Sequence, residues 1–144
     1  LETIKKMFLE EIIADKKLAN RFAKDLVYKY KTFLFLVNKE IVGTISWDIK
    51  GGIEDGVYEL GGLGVNQTYR RQGIGKNLVE AMIRECKTYF SELGYKLRVI
   101  FLYMERSNEI GELFYKSMYF NKICEISSFY PKNDAIMWIR YFER

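Results

Sequence analysis

The chain has 144 residues, 49% hydrophobic and 16% aromatic, with a single proline and a net charge of +4. Such a length and apolar content suit one domain spanning 1–144 with its own core, and exclude a disordered or low-complexity chain. The charge excess is mild and the lysines are scattered, which disfavours nucleic acid, and no apolar run nears the roughly 20 residues of a membrane span.

Histidine is absent, which removes Ser-His-Asp and Cys-His catalysis and every histidine-based metal site. No metal is therefore expected, and any general base must be a carboxylate, a tyrosine, a lysine or water held by one of them. The two cysteines, Cys86 and Cys124, form no disulfide framework, and no signal-peptide pattern is visible, so a reduced, cytoplasmic setting is expected. The chain opens on Leu1 rather than Met, which points to a missing or processed start.

In chain order, residues from Glu2 to about Tyr30 read as helix. Ile4, Phe8 and Ile12, then Leu18, Phe22 and Leu26, recur at helical spacing, with a break near Asp15. Thr32–Val37 and Ile41–Ile49 read as a hairpin around Asn38-Lys39-Glu40. A charged, glycine-rich loop follows, then a third strand, Val57–Val65. This strand carries Gly61, Gly62 and Gly64, and glycine inside a strand marks a bulge or the close approach of a ligand or another backbone.

From Ile74 to about Leu93 the pattern is an amphipathic helix with Ile74, Leu78, Met82, Cys86 and Phe90 on its buried stripe and Gly94 as its stop. Leu97–Met104 is nearly all apolar and reads as a central strand covered on both faces. A second helix is expected to start at Ser107 or Asn108 and to bury Ile110, Leu113, Phe114 and Met118. Phe120–Phe129 and Ala135–Tyr141 are two closing strands. The strands flanking the long helix form a βαβ unit and should be parallel, between antiparallel hairpins. The class is α/β, a mixed sheet with helices on its faces.

The stretch Tyr69-Arg70-Arg71-Gln72-Gly73-Ile74-Gly75-Lys76 joins the glycine-rich strand to the long helix. The first backbone N–H groups of a helix lack intrahelical acceptors, and the helix dipole adds partial positive charge there. Such a turn, flanked by Arg70, Arg71 and Lys76, is a seat for a phosphate or pyrophosphate. It lacks the Gly-Lys-Ser/Thr ending of a Walker A loop and the third glycine of the dinucleotide fingerprint.

Arg70-x-x-Gly73-x-Gly75 instead fits Gln/Arg-x-x-Gly-x-Gly/Ala and resembles the pyrophosphate loop of the GNAT superfamily, the acyl-CoA-dependent N-acetyltransferases. Asn108-x-x-Gly111-x-x-x-Tyr115-x-x-x-Tyr119-Phe120 is similar to that family's Asn-x-x-Ala-x-x-x-Tyr-x-x-x-Gly-Phe, with Gly111 for alanine and Tyr119 for glycine. Tyr130, Asp134, Ala135 and Met137 are similar to the closing hairpin of amino-terminal acetyltransferases of the ribosomal-protein type. The resemblance covers Thr32 to the C-terminus. The family usually opens with a strand, and none is evident before Glu2, so the chain is expected to start inside the domain.

The resemblance implies a GNAT-like fold with a bulged strand in its central sheet and acetyl-CoA as cosubstrate. It assigns the pyrophosphate to Arg71, Gln72, Gly73, Ile74, Gly75 and Lys76, with Arg70 nearby. It lays the pantetheine arm between the third and fourth strands, on Leu63, Gly64 and Val65, with Asn108, Gly111 and Phe114 also on the cofactor. Tyr115 takes the general-acid position, protonating the thiolate as it leaves the tetrahedral intermediate, and the Val65 N–H is a candidate oxyanion donor.

Glu59 is the candidate base, as in some members; the base glutamate of the amino-terminal enzymes is replaced here by Tyr103, so Tyr103 or a water chain are the alternatives. The implied acceptor is a primary amine, carried by a small molecule, peptide or protein, and a homodimer is in keeping with the family. The N-terminal helices, through Phe22 and Tyr28, are candidates for covering the acceptor site. A non-catalytic acyl-CoA-binding or sensing module would keep the loop without needing Tyr115. A small nucleic-acid-binding domain is a third, weaker reading.

Overall fold

Asn38 and Lys39 both take positive φ, 49° and 68°, the backbone that a two-residue hairpin turn of matching twist requires. They join β1 (Lys31–Val37) to β2 (Glu40–Lys50) as antiparallel partners, from Lys31↔Trp47 to Val37↔Glu40. The computed structural model describes residues 31–142, together with Asn20, which is helical. The helical reading of residues 2–30, and with it Phe22 and Tyr28, lies otherwise outside the described residues.

The remaining elements are β3 (Val57–Val65), α1 (Ile74–Glu92), β4 (Val99–Glu105), α2 (Glu109–Ser117), β5 (Asn121–Tyr130) and β6 (Asn133–Tyr141), with short 3-10 turns at Ile53–Asp55 and Gln67–Tyr69. The strands form one six-stranded mixed sheet in the order β1-β2-β3-β4-β6-β5. The chain divides into two compact units, Leu1–Asp48 with Leu60–Cys86, and Ile49–Glu59 with Lys87–Arg144.

In the first unit, β2 is buried on both faces from Val42 to Trp47, and α1 buries Ile74, Leu78, Val79, Met82, Ile83 and Cys86. The expected helical stripe is therefore the packed one, and it continues to the buried Phe90. Trp47 is a core residue, meeting Phe33 edge-on at 4.8 Å. Gly43 sits where α1 lies closest: a Cβ there would come within 3.1 Å of both Ile74 Cγ2 and Leu78 Cδ1. That close approach explains a glycine in an otherwise β-branched strand.

In the second unit, β3 pairs in parallel with β4 from Val57↔Val99 to Glu59↔Phe101, the arrangement the βαβ reading requires. On its other edge β4 runs antiparallel to β6, which in turn pairs antiparallel with β5. Central placement of β4 agrees with its apolar sequence, but only Ile100, Leu102 and Met104 are fully buried; Val99, Phe101 and Tyr103 are half-buried. Coverage on both faces was expected, and the structure gives full coverage on one.

The buried stripe expected on α2 is also corrected. Ile110 and Leu113 are exposed, at 81% and 71%, while Tyr115 and Met118 are buried and Phe114 is intermediate. Successive helical residues turn by about 100°, so Leu113 and Tyr115 point to nearly opposite sides and cannot both face the sheet. The end of this helix explains the tyrosine at the glycine position. Tyr119 adopts φ 66°, its N–H donates to the Lys116 carbonyl, and the Phe120 N–H donates to the Tyr115 carbonyl at 3.0 Å. These are the two bonds of a Schellman ending, normally built on glycine. Here Arg140 supports it, donating from Nη1 to the Met118 carbonyl at 3.1 Å while its guanidinium lies 5.4 Å from the Tyr119 ring centroid.

Candidate functional site

The basic turn is built from the end of β3 forward. The Asn66 N–H donates to the Val42 carbonyl at 2.7 Å, and its side-chain oxygen accepts from the Thr68 N–H at 3.0 Å. Arg70 then folds back, donating from Nε to the Val65 carbonyl at 3.0 Å. This guanidinium, expected beside the pyrophosphate, braces the turn in the structure. Arg71 and Gly73 both take positive φ, 62° and 79°. The first intrahelical bond of α1 runs from the Asn77 N–H to the Gly73 carbonyl at 3.0 Å, so the N–H groups of Ile74, Gly75 and Lys76 lie ahead of it.

The Ile74 side chain is buried, which leaves its backbone as the part available to an anion, whereas Arg71, Gln72 and Lys76 are exposed. A Cβ built on Gly73 meets nothing within 4 Å. Glycine is needed there for its backbone angle, and the space above it is open. Lys76 approaches Glu80 only at 4.0 Å across exposed helix, a weak pairing that leaves its charge available to an anion. Open space, aligned N–H groups and two exposed cations fit a pyrophosphate.

In the second unit, Asn108 is the cap of α2. Its Oδ1 accepts from the Gly111 N–H at 2.9 Å, which decides between Ser107 and Asn108. A Cβ on Gly111 would fall 2.7 Å from Asn108 Nδ2. Alanine at this position therefore requires the capping Asn108 amide to shift. Ser107 instead accepts from Asn133 Nδ2 at 2.7 Å, tying the start of α2 to the β5–β6 hairpin.

Tyr115 is buried between aromatic neighbours, Phe114 at 5.2 Å and Phe120 at 5.5 Å. Burial pushes its phenol well above the ordinary tyrosine range, so it is protonated at neutral pH. Glu59 lies on the half-buried side of β3 and pairs with Lys50 at 3.2 Å.

Residue-type reasoning missed Phe129. Its ring stacks on Tyr103 at 5.1 Å, although β6 lies between β5 and β4 in the sheet. A register shift between Ile126 and Tyr130 makes this reach, with Ser128 at φ 52° and its N–H bonded to Asp134 Oδ1 at 2.8 Å. Ser127-Ser128 in mid-strand, followed by an aspartate beyond the turn, was the available signal.

Comparison with known families matches residues 3–120 to the acetyltransferase (GNAT) family. The fold resembles the ribosomal-protein-S18-alanine N-acetyltransferase of Escherichia coli, with a TM-score of 0.70 at 22% identity over 88% of this chain and 77% of that one. An aminoglycoside 6'-N-acetyltransferase complexed with coenzyme A gives 0.77 at 14% identity, over 99% and 91%. The NatC complex bound to Gag peptide and CoA gives 0.75 at 22% identity, over 99% and 90%. A comparison with curated protein sequences returned no match. The glycine-bearing strand, the turn of positive-φ residues, the helix that follows and the asparagine-capped second helix thus sit on a matching architecture, and the chain belongs to the GNAT family of acetyltransferases.

Proposed function

We propose that the protein transfers the acetyl group of acetyl-CoA to a primary amine, in the cytoplasm. The observation that carries this reading is the Arg70–Lys76 turn, whose open space above Gly73 and free helix start suit a pyrophosphate, within a chain of the acetyltransferase family. Three of the solved relatives support it by their own activities or ligands: one is an aminoglycoside acetyltransferase with CoA, one an alanine acetyltransferase, one a complex with peptide and CoA.

Bound acetyl-CoA supplies an activated thioester. The backbone N–H groups from Gly73 to Lys76 hold its pyrophosphate, and Arg71 and Lys76 neutralise the charge, with Gln72 and Arg70 flanking. The family resemblance assigns Leu63, Gly64 and Val65 to the pantetheine and, separately, Asn108, Gly111 and Phe114 to the cofactor. The Val65 N–H donates to the developing oxyanion.

Tyr115 holds a proton throughout the neutral range and donates it to the departing sulfur. Glu59 accepts the proton of the ammonium, directly or through water, with Tyr103 as the alternative acceptor. One ammonium proton passes through the base to solvent; the second leaves the nitrogen as the tetrahedral intermediate collapses and restores the phenol that protonated the sulfur, so the protons balance.

The test is release of free thiol from acetyl-CoA in the presence of an amine and peptide panel, with CoA affinity measured by calorimetry. Turnover with at least one amine and measurable CoA binding are expected. CoA binding without turnover on any acceptor would favour the acyl-CoA-binding module, and absence of both would discard the proposal.

A further inference from the structure

Alternation along β4 puts Phe101, Tyr103 and Glu105 on its less buried face, opposite the buried Ile100, Leu102 and Met104. Phe101 meets Tyr103 at 5.8 Å, Tyr103 meets Phe129 at 5.1 Å, and Phe129 meets Tyr130 at 5.0 Å. Four rings thus form a continuous chain across strands that are not all neighbours. The bulged end of β5 exists in a form that points Phe129 inward over the sheet, pinned by Asp134. Yet Phe129 remains 49% exposed, so the rings are not simply burying one another.

The charges beside this face are uneven. Arg106 is engaged by Glu125 at 3.8 Å and by Asp134 at 3.7 Å, and Lys122 by Glu125 at 2.7 Å. Glu105 is exposed and forms no ion pair among the described residues. Its carboxylate is nevertheless close enough to act on the Tyr130 phenol, which burial first and then this negative charge hold above the usual range. Ring faces with one unanswered carboxylate suit a cation carried on a flat apolar body. Residues two apart on a strand are about 6.7 Å apart, a span comparable to that from an aryl ring to an ammonium two carbons away.

We infer that this face is the specificity surface for the acceptor, binding an arylethylammonium group with its ring against Phe129 and Tyr103 and its ammonium toward Glu105. The inference rests on the proposed acetyl transfer and names the substrate class. Because Glu59 is level with Phe101, four residues back along β4 from Glu105, it goes with Tyr103 rather than Glu59 as the acceptor of the ammonium proton. Two sources share this chemistry: a peptide whose first residue is aromatic, and a free arylethylamine. Glu105 binds the cation and Phe129 binds the ring, so each loss should weaken a different part of the same ligand.

The experiment is calorimetric titration of the full chain, without acetyl-CoA, using phenethylamine, phenylalanyl-glycinamide, N-acetylphenethylamine and butylamine. The cationic aryl ligands should bind at least tenfold more tightly than the last two, which lack the charge or the ring. Phe129→Ala and Glu105→Gln should each weaken them at least fivefold, and Phe129→Trp should restore binding. Retained CoA affinity shows that a variant is folded. Preference for the dipeptide or for the free amine supports the inference and identifies the source. Equal binding of all four ligands, or loss of none on Phe129→Ala, overturns it. Acetyl-CoA turnover by the wild-type chain on any amine is scored separately, so failure here is distinguishable from failure of the acetyltransferase reading.

Discussion

Phe120 holds Tyr115 twice: its backbone N–H donates to the Tyr115 carbonyl at 3.0 Å, and its ring packs on the phenol ring at 5.5 Å. The helix ending and the candidate proton donor are therefore one piece of structure. Phe120→Ala should remove both the apolar contact of the Schellman ending and one wall of the Tyr115 site. A loss of about 3 kcal/mol in urea unfolding is expected for a buried phenylalanine. Turnover per folded molecule should fall as well, which a purely structural role would not require.

Alkaline pH should weaken the fold in a defined order. Burial pushes the Cys86 thiol up to about 12, and pushes the Tyr115 phenol up further. Both groups keep their protons in the folded chain after the unfolded chain has lost them. Their contribution is complete below the unfolded values and declines as pH rises through the window up to the folded ones. Stability should begin to fall near pH 9, where Cys86 ionises when unfolded, at up to about 1.4 kcal/mol per pH unit per group. Urea midpoints measured from neutral pH to pH 11 check this, and Tyr115→Phe should flatten the part of the slope above about pH 10.

Two glycines should separate binding from stability. Gly73→Ala places a side chain in open space but at φ 79°, a strain of about 1 kcal/mol. If this turn holds the pyrophosphate as proposed, CoA affinity should drop at least tenfold, because the new methyl group enters the open space above Gly73. Gly43→Ala crowds Ile74 and Leu78 at 3.1 Å and should lower the unfolding midpoint while leaving CoA affinity of the folded protein near wild type. Calorimetry and thermal unfolding on both variants test the contrast.

Most of the scaffold was readable because it is written in short-range signals. Val57–Val65 and Ile74 onward follow period and glycine placement, and the Asn38-Lys39 turn needs only local backbone. The faces of α2 and β4 were not readable in the same way. Ile110 and Leu113 are as apolar as Phe114 and Met118, and only the sheet decides which side of the helix is covered. Tyr119 looked like a broken motif because its support, Arg140, lies two strands later. Phe129 was hidden for a related reason: a bulge decides where it points, and Asp134, across the turn, sets the bulge. The family resemblance named a cofactor loop, but neither it nor periodicity indicated the ring-lined face.

The Asn108 cap offers a further check. Asn108→Ala removes the Oδ1 acceptor of the Gly111 N–H and should cost about 1 kcal/mol. Gly111→Ala should produce a similar loss by displacing the Asn108 amide, which its Cβ would meet at 2.7 Å. The two losses should not add, because both break the same cap. Thermal unfolding of the double variant decides: a sum of the single losses would argue against this geometry.

Thiol release from acetyl-CoA near neutral pH, compared between wild type and Tyr115→Phe with CoA affinity measured on both, reads out the proposed proton donor. Wild type should turn over at least one primary amine. The variant should bind CoA equally well yet lose roughly 10²-fold or more in rate, the range of a positioned proton donor. Unchanged turnover in the variant would contradict the assignment of Tyr115, and no turnover by the wild type on any amine would contradict the acetyltransferase account itself.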